Sequence, residues 1–479
     1  MKKILIILLA SLAIASCSKQ KLADMNKDVK HPTDVPGQTL FSNAEKNLSD
    51  QIASVNVNRN DFKLWAQYWT ETTYTDESNY NIFNRNVPQN AWSTWYRSVL
   101  MNLKRADSLI GLEKPIAAAD VAAQKNSRVI IDILSVYAWD RMVTMWGNIP
   151  YTQALNIDDV TPVYDDALTI HKDLIKRINA DIAALDVNNG SFGSADIIYG
   201  GNTAAWKKFA NGLLIKMAIQ IANVSSESAL VKSSITSGMA GTLASAADNA
   251  IFVYLSGTPN TNPLYVDLTL SGRLDFVAAN TIVDKMTSLN DPRLPFYFDQ
   301  NLGANTYAGG QYGHSSAYAN YSHISDAISK DPTFGNPIMT YSEIQFYLAE
   351  AAARGLITGN AADYYNAAVT ASIEYWGGTA ADAVAYLAQP SVAYDQATWQ
   401  EKIGTQAWIS FYVRGYEGWT TWRRLGQPAM NMPPTPSQGG FPMRFTYPSN
   451  EQTLNGANYT KAASAIGGDK LTTKLYWEN

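Results

Sequence analysis

Residues 129–151 read VIIDILSVYAWDRMVTMWGNIPY. Ile130, Leu134, Tyr137, Ala138, Met142 and Met145 recur at spacings of three and four, which places them on one face of an α-helix. The periodicity extends back to residue 118, and Gly147 and Pro150 stop it. A long helix over 118–146 therefore anchors the reading of the whole chain.

Helical spacing continues on both sides. Upstream it predicts helices over 39–58, 60–70 and 90–112, the second carrying Phe62, Trp65, Tyr68 and Trp69. Residues 71–89 between them read as a loop rich in Thr, Asn and Tyr. Downstream come helices over 164–185, 203–223 with Thr203 as N-cap, and 226–237. Residues 250–340 are less regular. They hold a short strand near Phe252–Leu255, a helix over 275–288, a break at Asp291–Pro295 and a loop over 299–323. A loop of that length without structure of its own is usually functional. Helices return at 340–356, 361–376, 380–388 and 397–413, and the tail from Arg444 to Asn479 reads as irregular and docked. The expected fold is all-α: tetratricopeptide-like helical hairpins with a loop-rich variable region, in one domain over 39–479. No clean repeat of about 34 residues is visible, so hairpins are better supported than a regular solenoid.

The N-terminus reads differently. Lys2 and Lys3 precede an apolar stretch from Ile4 to Ala15, then Ser16 and Cys17. This is the layout of a secretory signal. The stretch is roughly 12 residues, short of the ~20 that span a bilayer. Ile14-Ala15-Ser16-Cys17 resembles a lipobox, with cleavage before Cys17 and a lipid on its thiol; the alternative is a secreted chain with a chance cysteine near the cut. Residues 1–16 are thus expected as a lipoprotein signal and 17–38 as a polar tether. Cys17 is the sole cysteine, so an acylated Cys17 excludes disulfides, thiolate metal sites and a cysteine nucleophile. A net charge of -5 without a basic run excludes a nucleic-acid footprint and a polybasic membrane patch.

Neither a zinc signature, a P-loop nor a GxSxG elbow occurs around the four histidines, His31, His171, His314 and His323. His314 and His323 share one loop, where they read as polar loop residues or as a pair that meets a metal or a sugar. Glu343 and Glu350 lie seven apart, near one helix face; paired carboxylates hydrolyse glycosides at the right separation, but the small residues after Glu350 favour a packing role. No catalytic residue, metal or cofactor is expected. The chain has 27 Tyr and 13 Trp against 14 Phe, a balance that fits either a half-wet recognition surface or tyrosines filling helix seams. Sugar rings stack on aromatic faces, and their hydroxyls need amide, carboxylate or phenol partners. Two segments combine these types, and they nominate Trp69, Tyr74, Asn79, Tyr80, Tyr307, Tyr312, Tyr318 and Tyr321 as ligand contacts. For Trp65 and Trp69, four apart on a predicted helix, core packing is the competing fate. Trp419 and Trp422, beside Arg423 and Arg424, read as structural or partner-facing.

Five landmarks carry a family resemblance. Met25-Asn26-Lys27-Asp28 with His31-Pro32-Thr33, Trp146-Gly147-Asn148-Ile149-Pro150-Tyr151 and Trp206-Lys207-Lys208-Phe209-Ala210-Asn211-Gly212-Leu213 come first. The helix Tyr341–Ala351 and the segment Pro442-Met443-Arg444-Phe445-Thr446-Tyr447-Pro448 with Glu451 follow. In type and order they resemble SusD/RagB outer-membrane lipoproteins. The resemblance implies a non-enzymatic, lipid-anchored protein that caps a SusC-type TonB-dependent transporter and binds an oligosaccharide or peptide for import. It also implies residence in the outer membrane, facing the cell surface, although Ser18-Lys19-Gln20-Lys21 lacks the acidic cluster that commonly directs such chains outward. Two other classes stand beside it: a surface α-helical glycan-degrading enzyme, and a structural accessory of the transporter that binds nothing.

Overall fold

The structure is a computed structural model and describes residues 35–478. The expected signal, Cys17 and most of the expected tether lie outside the described residues. About 54% of the residues are helical and 4% are in strands, so the fold is all-α.

The main helices are α1 (Gly37–Ala53), α2 (Met101–Leu112), α3 (Ala118–Trp146), α4 (Ala167–Ala184), α5 (Thr203–Gln220) and α6 (Ser228–Met239). They continue with α7 (Tyr341–Ala353), α8 (Ala361–Tyr375), α9 (Ala380–Leu387), α10 (Trp399–Ser410) and α11 (Gly415–Leu425). Successive members pack as hairpins: α2 on α3, α3 on α4, α4 on α5, α5 on α6, α7 on α8 and α10 on α11. Helix α7 also packs on α5 and α10, which joins the earlier hairpins to the later ones. From Gly37 onward the chain forms one compact unit.

Helix α3 has the predicted limits but a different environment. Ile131, Ile133, Val136, Trp139 and Val143 are buried along with the predicted face, so from Ile130 to Trp146 the helix is wrapped almost all round. An all-round apolar helix belongs inside a large core. Gly147 ends it at φ 84°, and a Cβ there would meet the Leu475 side chain at 2.9 Å. Hydroxyl and amide caps start the other helices: Asp166 accepts from the Thr169 amide, and Thr340 from the Glu343 amide. The cap before α5 is Asn202, not Thr203, which is the first helical residue.

Three expectations fail locally. The helix over 60–70 is a single turn, Phe62–Trp65, after which Trp69–Glu71 becomes a strand, β1. The other strands are β2 (Ala250–Phe252), β3 (Phe276–Ala278) and β4 (Asn336–Met339). β1 pairs antiparallel with β3, Trp69 opposite Ala278, and β2 with β4. Non-local pairing overrides helical spacing at β1. The helix expected over 275–288 begins only at Asn280, because Phe276–Ala278 is β3, whereas residues 87–112 are helical throughout, with a wider π-helical stretch over Thr94–Leu100 before α2. The tail is less irregular than expected, with helices at Ser449–Leu454 and Gly456–Ala465. It docks through Arg423, whose guanidinium lies 3.5 Å from the Trp419 ring centroid and 4.3 Å from that of Trp477 and pairs with Glu478 at 2.7 Å. Trp419 is therefore structural.

Helix α11 escapes sequence reading because Gly415 and Gly418 look like breakers. Both are packing residues. A Cβ at Gly418 would lie 2.0 Å from Tyr68 Oη, which itself donates to the Trp408 carbonyl at 2.5 Å and has nowhere to go. Gly418→Ala is expected to destabilise the chain by about 1–3 kcal/mol, the range for overpacking a filled core, read as a lower midpoint of urea unfolding.

Candidate functional site

Four of the eight nominated residues are fasteners. Trp69 is fully buried and donates its indole N–H to Tyr412 Oη at 2.8 Å. Tyr80 is buried with φ 64°, and its hydroxyl accepts from Gln67 at 3.2 Å. Tyr312 is buried and donates to the Leu64 carbonyl at 2.8 Å. Asn79 donates to the carbonyls of Thr75 and Gly313, both at 2.8 Å, and accepts from the Thr435 amide and hydroxyl. It rivets three loops together. Trp69, Tyr80 and Tyr312 present no face to a ligand, because their rings and polar atoms are engaged inside the core, and Asn79, though fully bonded, lines only a separate cleft of about 220 Å³ with Asp76, Asn81 and Ser437. Trp65 is buried as well.

These fasteners hold the loops that carry the other four. Thr72 donates from its hydroxyl to the Leu274 carbonyl at 2.7 Å and accepts from the Ser316 amide at 2.9 Å. The loop after β1 is thereby stitched to residues 272–276 and to the tyrosine-rich segment. Tyr74 projects from it, 66% exposed, near Arg273.

Next to this seam lies a surface cleft of about 490 Å³. One wall is Leu268–Phe276, including Arg273, Leu274 and Asp275. The other combines Asp299, Asn301, Tyr318, His323, Asp326 and Lys330. Backbone pairing positions this second wall: Phe298 bridges Ile324, and the Asp299 amide donates to the His323 carbonyl at 3.0 Å. The Tyr318 ring stacks on His323 with centroids 3.8 Å apart and an 18° interplanar angle. Asn301 fixes the turn, accepting from the His323 amide at 3.1 Å and donating to the Tyr321 carbonyl at 2.9 Å. The result is a flat aromatic platform beside amide, carboxylate and cationic groups, the combination a sugar ring requires.

The charges are arranged in pairs. Arg273 meets Asp275 at 2.5 Å and Lys330 meets Asp326 at 2.8 Å. Burial raises the pKa of Asp299, and the neighbouring Asp326 carboxylate adds to the effect. Burial and Asp299 likewise raise that of Tyr318, so its phenol stays neutral and available as a donor.

Tyr307 lies elsewhere. It lines a second, shallower cleft of about 460 Å³ with Asn290, Leu294, Pro295, Asn305 and Thr306. Tyr321 is half-buried beside the first cleft, joined to it through its backbone. The nominated residues therefore do not converge on one site. Tyr318 belongs to the 490 Å³ cleft, and Tyr74, outside its lining, stands exposed near Arg273. Sequence reading missed Arg273, Asp275, Asp299, Asn301, Asp326 and Lys330, for which it offers no signal. Of the histidine pair only His323 lines the cleft. Among the described residues no three His, Cys, Asp or Glu side chains are placed to hold a metal.

Glu343 and Glu350 are both fully buried. Glu343 meets Arg414 at 2.7 Å and Lys216 at 3.3 Å; Glu350 meets Arg424 and Arg354, each at 2.9 Å. Neither carboxylate reaches a cavity that could hold a glycoside. The space beside Tyr341, Trp376 and Arg414 has only about 20 Å³, room for a water.

The comparisons with known proteins agree with this architecture. A family model described as "Starch-binding associating with outer membrane", SusD-like, matches residues 27–448. A structure described as a chitin-binding protein superposes with a TM-score of 0.78 at 25% identity, covering 92% of this chain and 100% of that one. A SusD homologue from Bacteroides uniformis gives 0.76 at 26% identity, covering 92% and 99%. A chitin-binding SusD homologue from Flavobacterium johnsoniae gives 0.77 at 22% identity, covering 92% and 97%, a likeness of fold. A search of curated proteins returned no match. Among the described residues no helix is long and apolar enough to cross a membrane. With a family model matched over nearly its whole length and the helical fold of its solved relatives, the chain belongs to the SusD-like family.

Proposed function

We propose that the chain is a lipid-anchored outer-membrane protein that captures a glycan in the cleft between residues 268–276 and 299–330 and delivers it to a SusC-type TonB-dependent transporter. The observation that carries this reading is the Tyr318–His323 stack, set among Asn301, Asp299 and Arg273 in a cleft large enough for sugar units. The family's starch-binding description and the chitin-binding relative support a glycan over a peptide. Tyr74, exposed near Arg273, would extend the aromatic surface along an oligomer. The protein acts by binding, not turnover: the two glutamates that sequence alone offers as a hydrolytic pair are locked in ion pairs. Affinity need not be high, because a docked transporter raises the effective concentration of whatever is held.

Titration calorimetry of the mature chain with chito- and malto-oligosaccharides tests the reading. Tyr318→Ala is expected to weaken binding about ten-fold, the loss of one stacking contact. Tyr307→Ala, in the other cleft, is expected to change it little. An unchanged affinity for Tyr318→Ala, or new reducing ends released from the glycan, overturns the proposal. Co-purification with the transporter from detergent-solubilised outer membranes tests delivery separately.

A further inference from the structure

The cleft's charges go beyond glycan capture. Two cations, Arg273 and Lys330, face three carboxylates, Asp275, Asp299 and Asp326. Asp275 and Asp326 are each neutralised by a partner. Asp299 is not: its Oδ1 accepts the Asp326 amide at 2.9 Å, and among the described residues no Lys, Arg or His forms an ion pair with it. Its other oxygen is left without a protein partner, on the wall that carries Tyr318. We propose that this cleft selects oligosaccharides bearing protonated amino groups, of the glucosamine type, over neutral and uronate-type ones, with Asp299 as the selecting residue; this rests on the capture reading above.

The physical reason is the asymmetry of the site. A neutral sugar leaves the excess negative charge as it was. A uronate adds a carboxylate beside two that already repel. An ammonium group relieves that repulsion, donates to the free Asp299 oxygen and is attracted to the face of an aromatic ring such as Tyr318. Burial raises the pKa of Asp299 and the Asp326 carboxylate adds to it, while Lys330, already paired with Asp326, opposes them only in part. The site is open to solvent, so the gain is that of a partly exposed ion pair, about three- to five-fold in affinity.

Titration of the mature chain with equal-length oligomers of N-acetylglucosamine, glucosamine and galacturonic acid tests the proposal, at a pH where the amine is protonated. Glucosamine oligomers are expected to bind about three- to five-fold tighter than their acetylated counterparts, and uronates weakest. The preference is expected to shrink as salt is added and to vanish in Asp299→Asn, read as the ratio of amino- to neutral-oligomer affinity within that variant. A preference unchanged in Asp299→Asn, or neutral oligomers bound as tightly as amino ones, overturns charge selection. If binding is still Tyr318-dependent in that case, the capture reading stands. If no oligomer binds, both fall.

Discussion

Glu417→Ala is expected to lower the free energy of unfolding by about 3–5 kcal/mol, the usual consequence of removing one partner from a buried ion pair. Glu417 sits at the centre of a buried network. It pairs with Arg141 of α3, with Lys216 of α5 at 3.2 Å and with Arg414 at 3.3 Å. Lys216 and Arg414 also share Glu343 of α7, and Tyr347 donates to that same carboxylate at 2.8 Å. Removing Glu417 strips Arg141 of its ion-pair partner and leaves Lys216 and Arg414 with Glu343 alone, all of them buried. An exposed pair gives the contrast: Arg128 and Asp107 lie 2.7 Å apart but half in solvent, so breaking that pair is expected to change stability by less than about 1 kcal/mol. Replacing Arg141 and Glu417 together by apolar residues is expected to be milder than the sum of the single losses, since no orphaned charge remains.

The same network sets an acid dependence. Burial alone would raise the Glu417 carboxyl, but Arg141, Arg414 and Lys216 more than offset it and hold it well below the usual carboxylate range. Glu343 is shifted the same way by Arg414 and Lys216 against its own burial. A carboxyl depressed in the folded state adds stability that is complete above the unfolded pKa of about 4.3 and is lost as the pH falls below it. Urea unfolding followed by tryptophan fluorescence at neutral and acid pH reads both effects. A Glu417→Ala midpoint close to wild type, with the acid dependence retained, sinks the account.

Periodicity made the hairpins legible and hid the exceptions to them. α3, α4, α5, α7 and α8 stand within a few residues of their predicted limits because their apolar spacing, caps and stop residues agree. β1 was not legible: Trp65, Tyr68 and Trp69 are spaced as on a helix, and only a partner two hundred residues away, Phe276–Ala278, makes the second half extended. The tyrosine excess had two readings, and most of the buried rings follow the seam reading. Tyr68, Tyr297, Tyr312, Tyr365 and Tyr447 are each buried with the hydroxyl donating to a distant backbone carbonyl. A tyrosine that closes a helix seam and one that stacks a sugar look alike in a sequence, because both use an apolar ring and a polar tip. That is why Tyr80 and Tyr312 stood beside Tyr74 and Tyr318 until burial separated them. The polar half of the cleft had no sequence signal at all. Arg273, Asp299, Asn301 and Lys330 come from separate segments that only the tertiary pairing of 298–299 with 323–324 brings to one wall.

Cys17→Ala is expected to have the largest effect on where the protein works. A buried methylene contributes about 0.8 kcal/mol to membrane binding, a single acyl chain holds a protein only reversibly, and two or more hold it stably. The described residues offer no substitute anchor, since none of their helices is long and apolar enough to cross a bilayer, and the chain's net charge of -5 opposes adsorption to anionic lipid. Loss of the thiol should therefore abolish incorporation of a clickable palmitate and move the chain from the outer-membrane to the soluble fraction. Glycan affinity in solution should be unaffected, because the cleft is built entirely from residues after Glu71. On the proposed function, growth on the glycan should fall even so, since a freely diffusing binder would no longer share a surface with a SusC-type transporter and would lose the effective concentration that tethering supplies. An unlabelled wild-type chain that nonetheless fractionates with the outer membrane would place the anchor somewhere other than Cys17.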